Sequence, residues 1–407
     1  MRVSTANSYD VTVSALARRQ ADLAAQQERL STGKRVLRGS DDPVAATLAE
    51  TAQNHLARVQ GDQRALEASR ASLAQAESGL AESGDLIQRA RDLMVSAGNA
   101  TFGPSEREDI ARQIAGLREQ MIGVANRQDN AGRTLYGGLG GAAVPFIDLY
   151  SASGGAVQFQ GQRGQQAPGN TSLPQALDGH DIWMRIPQGN GSFTLSLPTS
   201  PPNTSAVRTG LGQLTGAATL PANGYDITFA EVGGVMQYTV TDLDTLTPVA
   251  GQINQPYQPG ASIAFNGLSF DMHNPAADGD RIELRPATVP TDIFQVMQDT
   301  VDALRDTSPG SDARRTQNLG RTLTELDAGH DRVLLARGRA GEWLNRADSL
   351  DALLGTRELA YETEKSQLED LDLIKGISDF QNQQVGLEAA LKSYAQVQRL
   401  SLFEFVR

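Results

Sequence analysis

Two glycine-containing stretches are the first candidates for chemistry, because the backbone amides of a glycine-rich loop can cradle a phosphate. Gly33-Lys34 resembles the end of such a loop, but the upstream glycine is missing and Arg35 stands where Ser or Thr would bind magnesium. The run from Gly137 to Gly141 follows a predicted helix, which is the wrong context for a dinucleotide-binding fold. We interpret the first stretch as a helix end followed by a basic turn, and the second as a flexible hinge.

Candidate metal ligands and acid–base groups are sparse. Asp41-Asp42 form a carboxylate pair, but helix capping explains an Asp placed directly before a helical proline. Asp242 and Asp244 lack the further oxygen ligands and the loop glycine that a calcium site needs. The four histidines are scattered and none has a partner at metal-ligand spacing. Without cysteine or a nucleophile motif, the sequence predicts no catalytic residue, no metal, no cofactor and no enzymatic activity.

The bulk composition limits the class of protein further. With 407 residues, 39% of them apolar and 21% charged, the chain is typical of a folded protein with two or more domains. Aromatic residues make up only 5%, so we expect the cores to consist of Leu, Ile, Val and Ala. The net charge of −12 would repel phosphates, so no nucleic-acid partner is expected. We find no apolar run long enough for a membrane span or a secretory signal, so we expect no membrane contact.

Proline placement separates the two ends of the chain from its middle. Of the 17 prolines, 14 lie from Pro145 to Pro290, and none follows Pro309. Because proline disrupts helices, long helices are expected at the ends and not in the middle. The predicted fold class is α+β, in which N- and C-terminal segments form a long helical bundle or coiled coil with an inserted β-rich domain. The predicted domains are a terminal coiled coil of 1–38 with 376–407, a helical bundle of 39–140 with 289–375, and a β-rich insertion of 141–288.

Apolar residues repeat at helical spacing in the first third of the chain. A helix that starts near Asp42-Pro43 carries an apolar residue at every seventh position. In a third helix, the apolar residues are alternately four and three positions apart. The stripes consist of Val59, Leu66, Leu73, Leu80, Ile87 and Met94, and then of Ile110, Ile114, Leu117, Met121 and Val124. Such stripes most often face an intramolecular core, and we predict that they are buried.

The stripes at the two chain ends are only half apolar. Their apolar members are Leu16, Leu23, Leu30 and Leu37 near the N-terminus and Ile377, Phe380, Leu387, Leu391 and Tyr394 near the C-terminus. A fully buried Leu contributes roughly 1.5–3 kcal/mol, so a few of them barely offset the entropy lost on ordering two helices. We predict that both ends are mobile in the free monomer and order by pairing with each other or with neighbouring molecules.

The middle of the chain alternates apolar and polar residues between turn residues, which is typical of short strands. The predicted strands are 191–198, 225–232, 235–243, 261–272 and 280–287. Helical patterning returns at Asp292 and extends, without a proline after Pro309, to near the end of the chain.

Several segments of the helical ends resemble the flagellin family. They are 28–36 (ERLSTGKRV), 40–46 (SDDPVAA), 91–99 (RDLMVSAGN), 132–138 (GRTLYGG), 387–394 (LEAALKSY) and 398–403 (QRLSLF). The opening MRVST, STGKR at 31–35 and DDP at 41–43 resemble the members that join hook to filament more than the filament subunits. The resemblance covers about residues 1–140 and the last 120 residues.

The resemblance implies a structural role in an extracellular flagellum. Junction members of the family pair their chain ends as a coiled coil and form a ring-like layer of copies of themselves. This layer joins another hook-associated protein on the hook side to flagellin on the filament side. The members are secreted unfolded by the flagellar, type III, export apparatus, with a chaperone on their C-terminal region. Carried over to this sequence, the expected assembly interface is Leu16, Leu23, Leu30, Leu387, Leu391, Tyr394, Leu400 and Phe403.

Two other functions remain open from the sequence. A flagellin-like filament subunit would polymerise by itself into long filaments. An adhesin or binding module would act through the predicted β domain at 141–288, and ligand binding by that domain would identify it.

Overall fold

The computed structural model describes residues 5–99, 101–150, 156–166, 173–216 and 220–405, with the side chains of 5–9 and 397–405 outside the described part. The chain forms two compact units. One unit comprises Met1–Ala65 and Ser349–Arg407, and the other comprises Leu66–Asp348. The division into three domains made from the sequence remains a prediction.

Helices dominate the two ends of the chain. Within the described residues they are α1 (Thr5–Thr32), α2 (Pro43–Ala97), α3 (Pro104–Ala125), α4 (Gly179–Trp183), α5 (Ile293–Arg305), α6 (Ser311–Glu369) and α7 (Leu373–Phe405). Every residue of the apolar stripes predicted for α2 and α3 is buried. The seven-residue spacing identified the buried face because residues at i, i+3, i+4 and i+7 share one side of a helix.

Local capping explains where α1 ends and α2 begins. Gly33 follows the last residue of α1 with a φ of 70°, the left-handed conformation that glycine adopts without a steric penalty. The side chain of Asp42 accepts a hydrogen bond from the backbone N–H of Ala45 at 3.0 Å and caps α2. Both features were predicted from the sequence.

One break in the C-terminal helical region was not predicted. Proline is absent there, yet α6 ends at Glu369 and α7 begins at Leu373. The carboxylate of Asp372 accepts hydrogen bonds from the backbone N–H groups of Ile374 at 3.0 Å and Lys375 at 3.2 Å. An aspartate cap therefore starts the new helix without a proline.

The middle of the chain is a region of short antiparallel strands. They are β1 (Phe146–Asp148), β2 (Val157–Phe159), β3 (Phe193–Ser196), β4 (Arg208–Thr209), β5 (Gln213–Leu214), β6 (Tyr225–Val232), β7 (Val235–Asp242), β8 (Gln255–Pro256), β9 (Ser262–Phe265), β10 (Leu268–His273) and β11 (Arg281–Pro286). One sheet has the order β3-β11-β6-β7-β8, and in a second β10 lies between β4 and β5 and also pairs with β9. The α+β fold class predicted from the sequence is confirmed.

The strand predicted at 261–272 is wrong as a single element. Residues Asn266 and Gly267 have φ angles of 46° and 75°, and they form a two-residue loop between β9 and β10. Positive φ at both loop positions favours an Asn-Gly pair and matches the twist of a hairpin. The Asn-Gly pair was the signal in the sequence that marked this turn.

Aromatic residues contribute more to the cores than their low number predicted. Trp183 is fully buried, and its ring lies 4.7 Å from that of Tyr136 and 5.5 Å from that of Phe146 in edge-on arrangements. The Phe146 ring also lies 5.7 Å from that of Phe294 at the start of α5. Several aromatic residues thus meet where helices pack near the β1–β2 hairpin, and a second group, which includes Phe229 and Phe270, is buried in the core of the strand region.

The flexible hinge expected at Gly137–Gly141 is instead a packed turn. The N–H of Leu139 donates to the carbonyl of Gln162 at 2.9 Å, and the N–H of Gln162 donates to the carbonyl of Gly137 at 3.1 Å. A Cβ on Gly138 would lie 2.0 Å from the Gln162 carbonyl oxygen. Glycine is required here for the close approach of two backbone segments.

Asp292 caps α5 from a buried position, and burial raises the pKa of its carboxyl to about 6. Because the pKa of Asp292 in the folded state lies above its value in the unfolded state, the group contributes fully to the stability of the fold below about pH 4. This contribution is lost as the pH rises through about 6. Asn can also cap a helix. Asp292→Asn is therefore expected to raise the free energy of unfolding at pH 7.5 by on the order of 2 kcal/mol and to leave it nearly unchanged at pH 4, as measured by urea unfolding.

The matched control is Asp42→Asn at the half-buried cap of α2. Hydrogen bonds from the Ala45 N–H and from Arg35 lower the pKa of Asp42, so its contribution is present at neutral pH and lost as pH falls through the lowered value. Asp42→Asn should not stabilise the protein at pH 7.5. Stabilisation of equal size by both substitutions would contradict the role of burial at Asp292.

Candidate assembly surface

The helices at the two chain ends lie side by side and run antiparallel. The side-chain amide of Gln26 in α1 donates to the carbonyl of Gly376 in α7 at 3.1 Å. Further along the helix pair, the guanidinium of Arg19 in α1 donates to the carbonyl of Gly386 in α7 at 3.0 Å. Because lower numbers in α1 meet higher numbers in α7, the chain ends pair in opposite directions.

A close approach of the two helices occurs at Gly376, which is buried. A Cβ at this position would lie 2.8 Å from Leu371 Cδ2 and 3.2 Å from Leu30 Cδ2. Gln26 is 7% exposed, so its amide is satisfied inside the helix pair rather than by solvent. Neither residue was predicted from the sequence, because a polar residue on a seam and a helical glycine do not identify a partner 350 positions away.

The structure places most of the predicted interface residues on this helix pair. Leu16, Leu23 and Leu30 of α1 and Leu387 and Tyr394 of α7 are half-buried, whereas Leu391 is 44% exposed. Leu400 and Phe403 belong to α7, but their side chains lie outside the described residues. The half-burial fits the half-apolar seams, which leave the pair only partly covered.

The basic turn after α1 connects to the break between α6 and α7. The Lys34 ammonium lies 2.7 Å from a carboxylate oxygen of Glu369, and this hydrogen bond raises the pKa of Lys34. The backbone N–H of Arg35 donates to the Glu369 carbonyl at 2.7 Å, and that of Leu371 donates to the Gly33 carbonyl at 2.8 Å. The STGKR segment is thus a docking turn for residues 369–371, and it holds α1 at the start of α7.

Many apolar side chains of the same unit face solvent. Among the side chains that the structure describes, the large exposed ones are Val11, Val13, Val44, Leu48, Leu353, Leu359, Leu373, Ile374, Ile377, Val385 and Leu391. Ile374 is 85% exposed, which is unusual for a side chain of its size. Apolar residues recurring on exposed helix faces are typical of surfaces that bind partner helices.

The residues considered first for chemistry have structural roles. Asp242 accepts the backbone N–H groups of Asp244 and Thr245, and Asp244 accepts those of Ala222 and Asn223. In the described part of the chain, no three His, Asp or Glu side chains are placed to hold a metal ion. Among the same residues, none of the helices combines the length and apolarity needed to cross a membrane.

The paired ends and the inserted strands are matched by known proteins along the whole chain. The sequence is 26% identical over 412 aligned positions to flagellar hook-associated protein 3 of Salmonella typhimurium, and the alignment covers 100% of each chain. Residues 3–139 match the bacterial flagellin N-terminal helical region. This chain is thus similar to hook-associated protein 3 along its whole length, and its N-terminal third is similar to bacterial flagellins.

Two further comparisons extend this likeness. The crystal structure of the flagellar junction protein of Legionella pneumophila superposes with a TM-score of 0.67 and 24% identity, covering 74% of this chain and 99% of that one. Polar flagellin F of Vibrio parahaemolyticus is 26% identical over 133 residues, which is 33% of this chain and 35% of that protein. The likeness to hook-associated protein 3 is therefore complete along the chain, and the likeness to this flagellin is confined to about a third of it.

Proposed function

We propose that this protein is a structural subunit of the bacterial flagellum that joins the hook to the flagellin filament, and that it is not an enzyme. The full-length likeness to hook-associated protein 3 carries the proposal, because it includes the β-rich middle and both helical ends. A filament subunit is the weaker alternative, because the match to polar flagellin F covers only about a third of this chain.

The proposed partners follow from the family. Copies of this chain form a ring-like layer, with another hook-associated protein on the hook side and flagellin on the filament side. The half-covered helix pair and the exposed apolar residues around Ile374 support this assembly, because such faces require further helices to exclude water. The half-buried and exposed residues of α1 and α7 are the proposed interface.

The proposed location is the extracellular flagellum, reached by flagellar export of the unfolded chain with a chaperone on its C-terminal region. Export of an unfolded chain suits terminal helices that are weakly stable before assembly. In the described part of the chain, the helix pair offers few fully buried apolar side chains, which supports this view.

The lysine distribution provides a direct test of terminal mobility. The lysines of the chain are Lys34, Lys365, Lys375 and Lys392, all within the unit formed by the chain ends. An endoprotease specific for Lys is expected to cleave the free monomer rapidly at the last two sites and to leave Leu66–Asp348 intact, as followed by mass spectrometry. Assembled flagella serve as the control and should resist. Equal resistance of the free monomer would contradict mobile ends.

The proposed function is tested by deleting the gene and examining the cells by electron microscopy while flagellin is measured in the medium. Hooks without filaments, together with secreted flagellin, are the expected result, because flagellin would be exported with no junction on which to assemble. Filaments of normal length would overturn the proposal and would favour a redundant filament subunit. Reintroducing the gene should restore the filaments.

A further inference from the structure

A cavity of about 550 Å³ lies within the unit Leu66–Asp348, where the end of α2, the start of α3, the start of α6 and strand β4 meet. Three arginines line it, Arg107, Arg208 and Arg315, and one carboxylate, that of Asp312. The cavity therefore carries two excess positive charges in a chain whose net charge is −12. Its volume is in the range of small-molecule sites.

Two of the arginines have buried N–H groups without a partner. The Arg315 side chain is 12% exposed, and it pairs with Asp312, whose side chain is 86% exposed. Arg315 Nη1 and Arg107 Nε are buried and have no hydrogen-bond acceptor. The protein therefore satisfies neither guanidinium group completely, and the positive charge of both would be stabilised by an anion in the cavity.

The third arginine contributes a guanidinium that is unpaired in the described part of the chain. Within the described residues, the guanidinium of Arg208 makes no hydrogen bond or ion pair, although its backbone pairs with His273 in the sheet. The Asp312 carboxylate is the single acid in the lining and is already held by Arg315, whose hydrogen bond lowers its pKa. The planar donors of the guanidinium groups favour a carboxylate or a phosphate as ligand.

The remaining wall decides between these two anions. The rest of the lining includes the polar Asn99 and Thr316 and an apolar wall that contains Met94, Leu319 and Leu323. A phosphate would place its further charged oxygens against this apolar wall and lose their hydration. A carboxylate carries its charge at one end, so an attached hydrocarbon group can contact the wall. We propose that this cavity binds a small monocarboxylate with a short apolar tail, a site that is independent of the assembly surface.

The test titrates hexanoate into the full-length protein at low ionic strength by isothermal calorimetry, with hexanamide as the uncharged counterpart and inorganic phosphate as the second anion. Hexanoate should bind with one site per chain, more tightly than either of the others. Arg208→Gln should weaken hexanoate binding about tenfold. Asp312→Asn should strengthen it severalfold, because it removes the only negative charge of the lining.

The matched control is Arg112→Gln, an exposed arginine of α3 outside this cavity, which should leave the affinity unchanged. Equal binding of hexanoate and hexanamide, or no binding of hexanoate, would overturn the proposal. Tighter binding of phosphate than of hexanoate would overturn the assigned ligand class. Because Asp312→Asn is expected to raise the affinity, its result stays informative even if Arg208→Gln impairs folding.

Discussion

Replacing Arg118 with Ala is expected to lower the free energy of unfolding of the unit Leu66–Asp348 by about 3 kcal/mol. The Arg118 side chain is 7% exposed, and its guanidinium binds both carboxylate oxygens of Asp148 and the carbonyl of Phe294 at 3.1 Å. The arginine thus connects α3 to β1 and to the first residues of α5. The loss should lie at the lower end of the range for broken buried pairs, because Asp148 keeps 27% of its side chain exposed.

The same helix provides the control for this prediction. Arg112 pairs with Asp109, but the two side chains are 64% and 60% exposed, so Arg112→Ala should cost no more than about 0.5 kcal/mol. Urea unfolding followed by the fluorescence of the buried Trp183, in a Trp343→Phe background, measures both variants. Similar losses for the two substitutions would show that the Arg118 pair is no more important than a surface pair.

Replacing Leu391 with Asp is expected to abolish incorporation into flagella while leaving the stability of the free monomer almost unchanged. Leu391 is 44% exposed in the single chain, so a charge there meets water in the monomer. In the proposed assembly the same charge would be buried against a neighbouring molecule without a partner, which is strongly unfavourable. Electron microscopy and swimming in soft agar should show loss of filaments, and thermal unfolding of the purified variant should match the wild type.

Two substitutions separate this explanation from a general effect of added charge. Gln396→Asp adds a negative charge at an exposed polar position of α7 and should leave assembly intact. Leu23→Asp, at a half-buried position of α1, should also block incorporation, and should additionally weaken the helix pair in the monomer while the β strands remain folded. Normal filaments from the Leu391 and Leu23 variants would exclude the proposed interface.

The helical ends were largely predictable, because their signals are local. The stripe from Val59 to Met94 is buried because a helix places every seventh residue on the same side, whatever the partner is. Gly33 and Asp42 mark helix ends because left-handed backbone and side-chain capping act within a few residues. The break before Leu373 was missed because no proline interrupts this region and the capping role of Asp372 was not recognised.

The middle was predicted less well, because its signals are short. An alternating pattern identified the strands, but the hairpin at Asn266 was read as one continuous strand. The order β3-β11-β6-β7-β8 brings β11 next to β6 across more than forty residues of chain. Alternation reports which side of a strand is buried and contains no information on the strand beside it.

The sequence by itself therefore determined the α+β class, the buried faces of α2 and α3 and the resemblance to flagellins, all of which depend on periodicity and on contiguous motifs. Only the tertiary structure decided that Gln26 meets Gly376, that Arg118 binds Asp148, and that Arg107, Arg208 and Arg315 surround one cavity. The physical reason is that an apolar seam shows only that a helix face must be buried, and a charged residue shows only that its charge must be paired. The partner is selected by how distant segments of the chain pack, and each of these contacts joins segments from different elements.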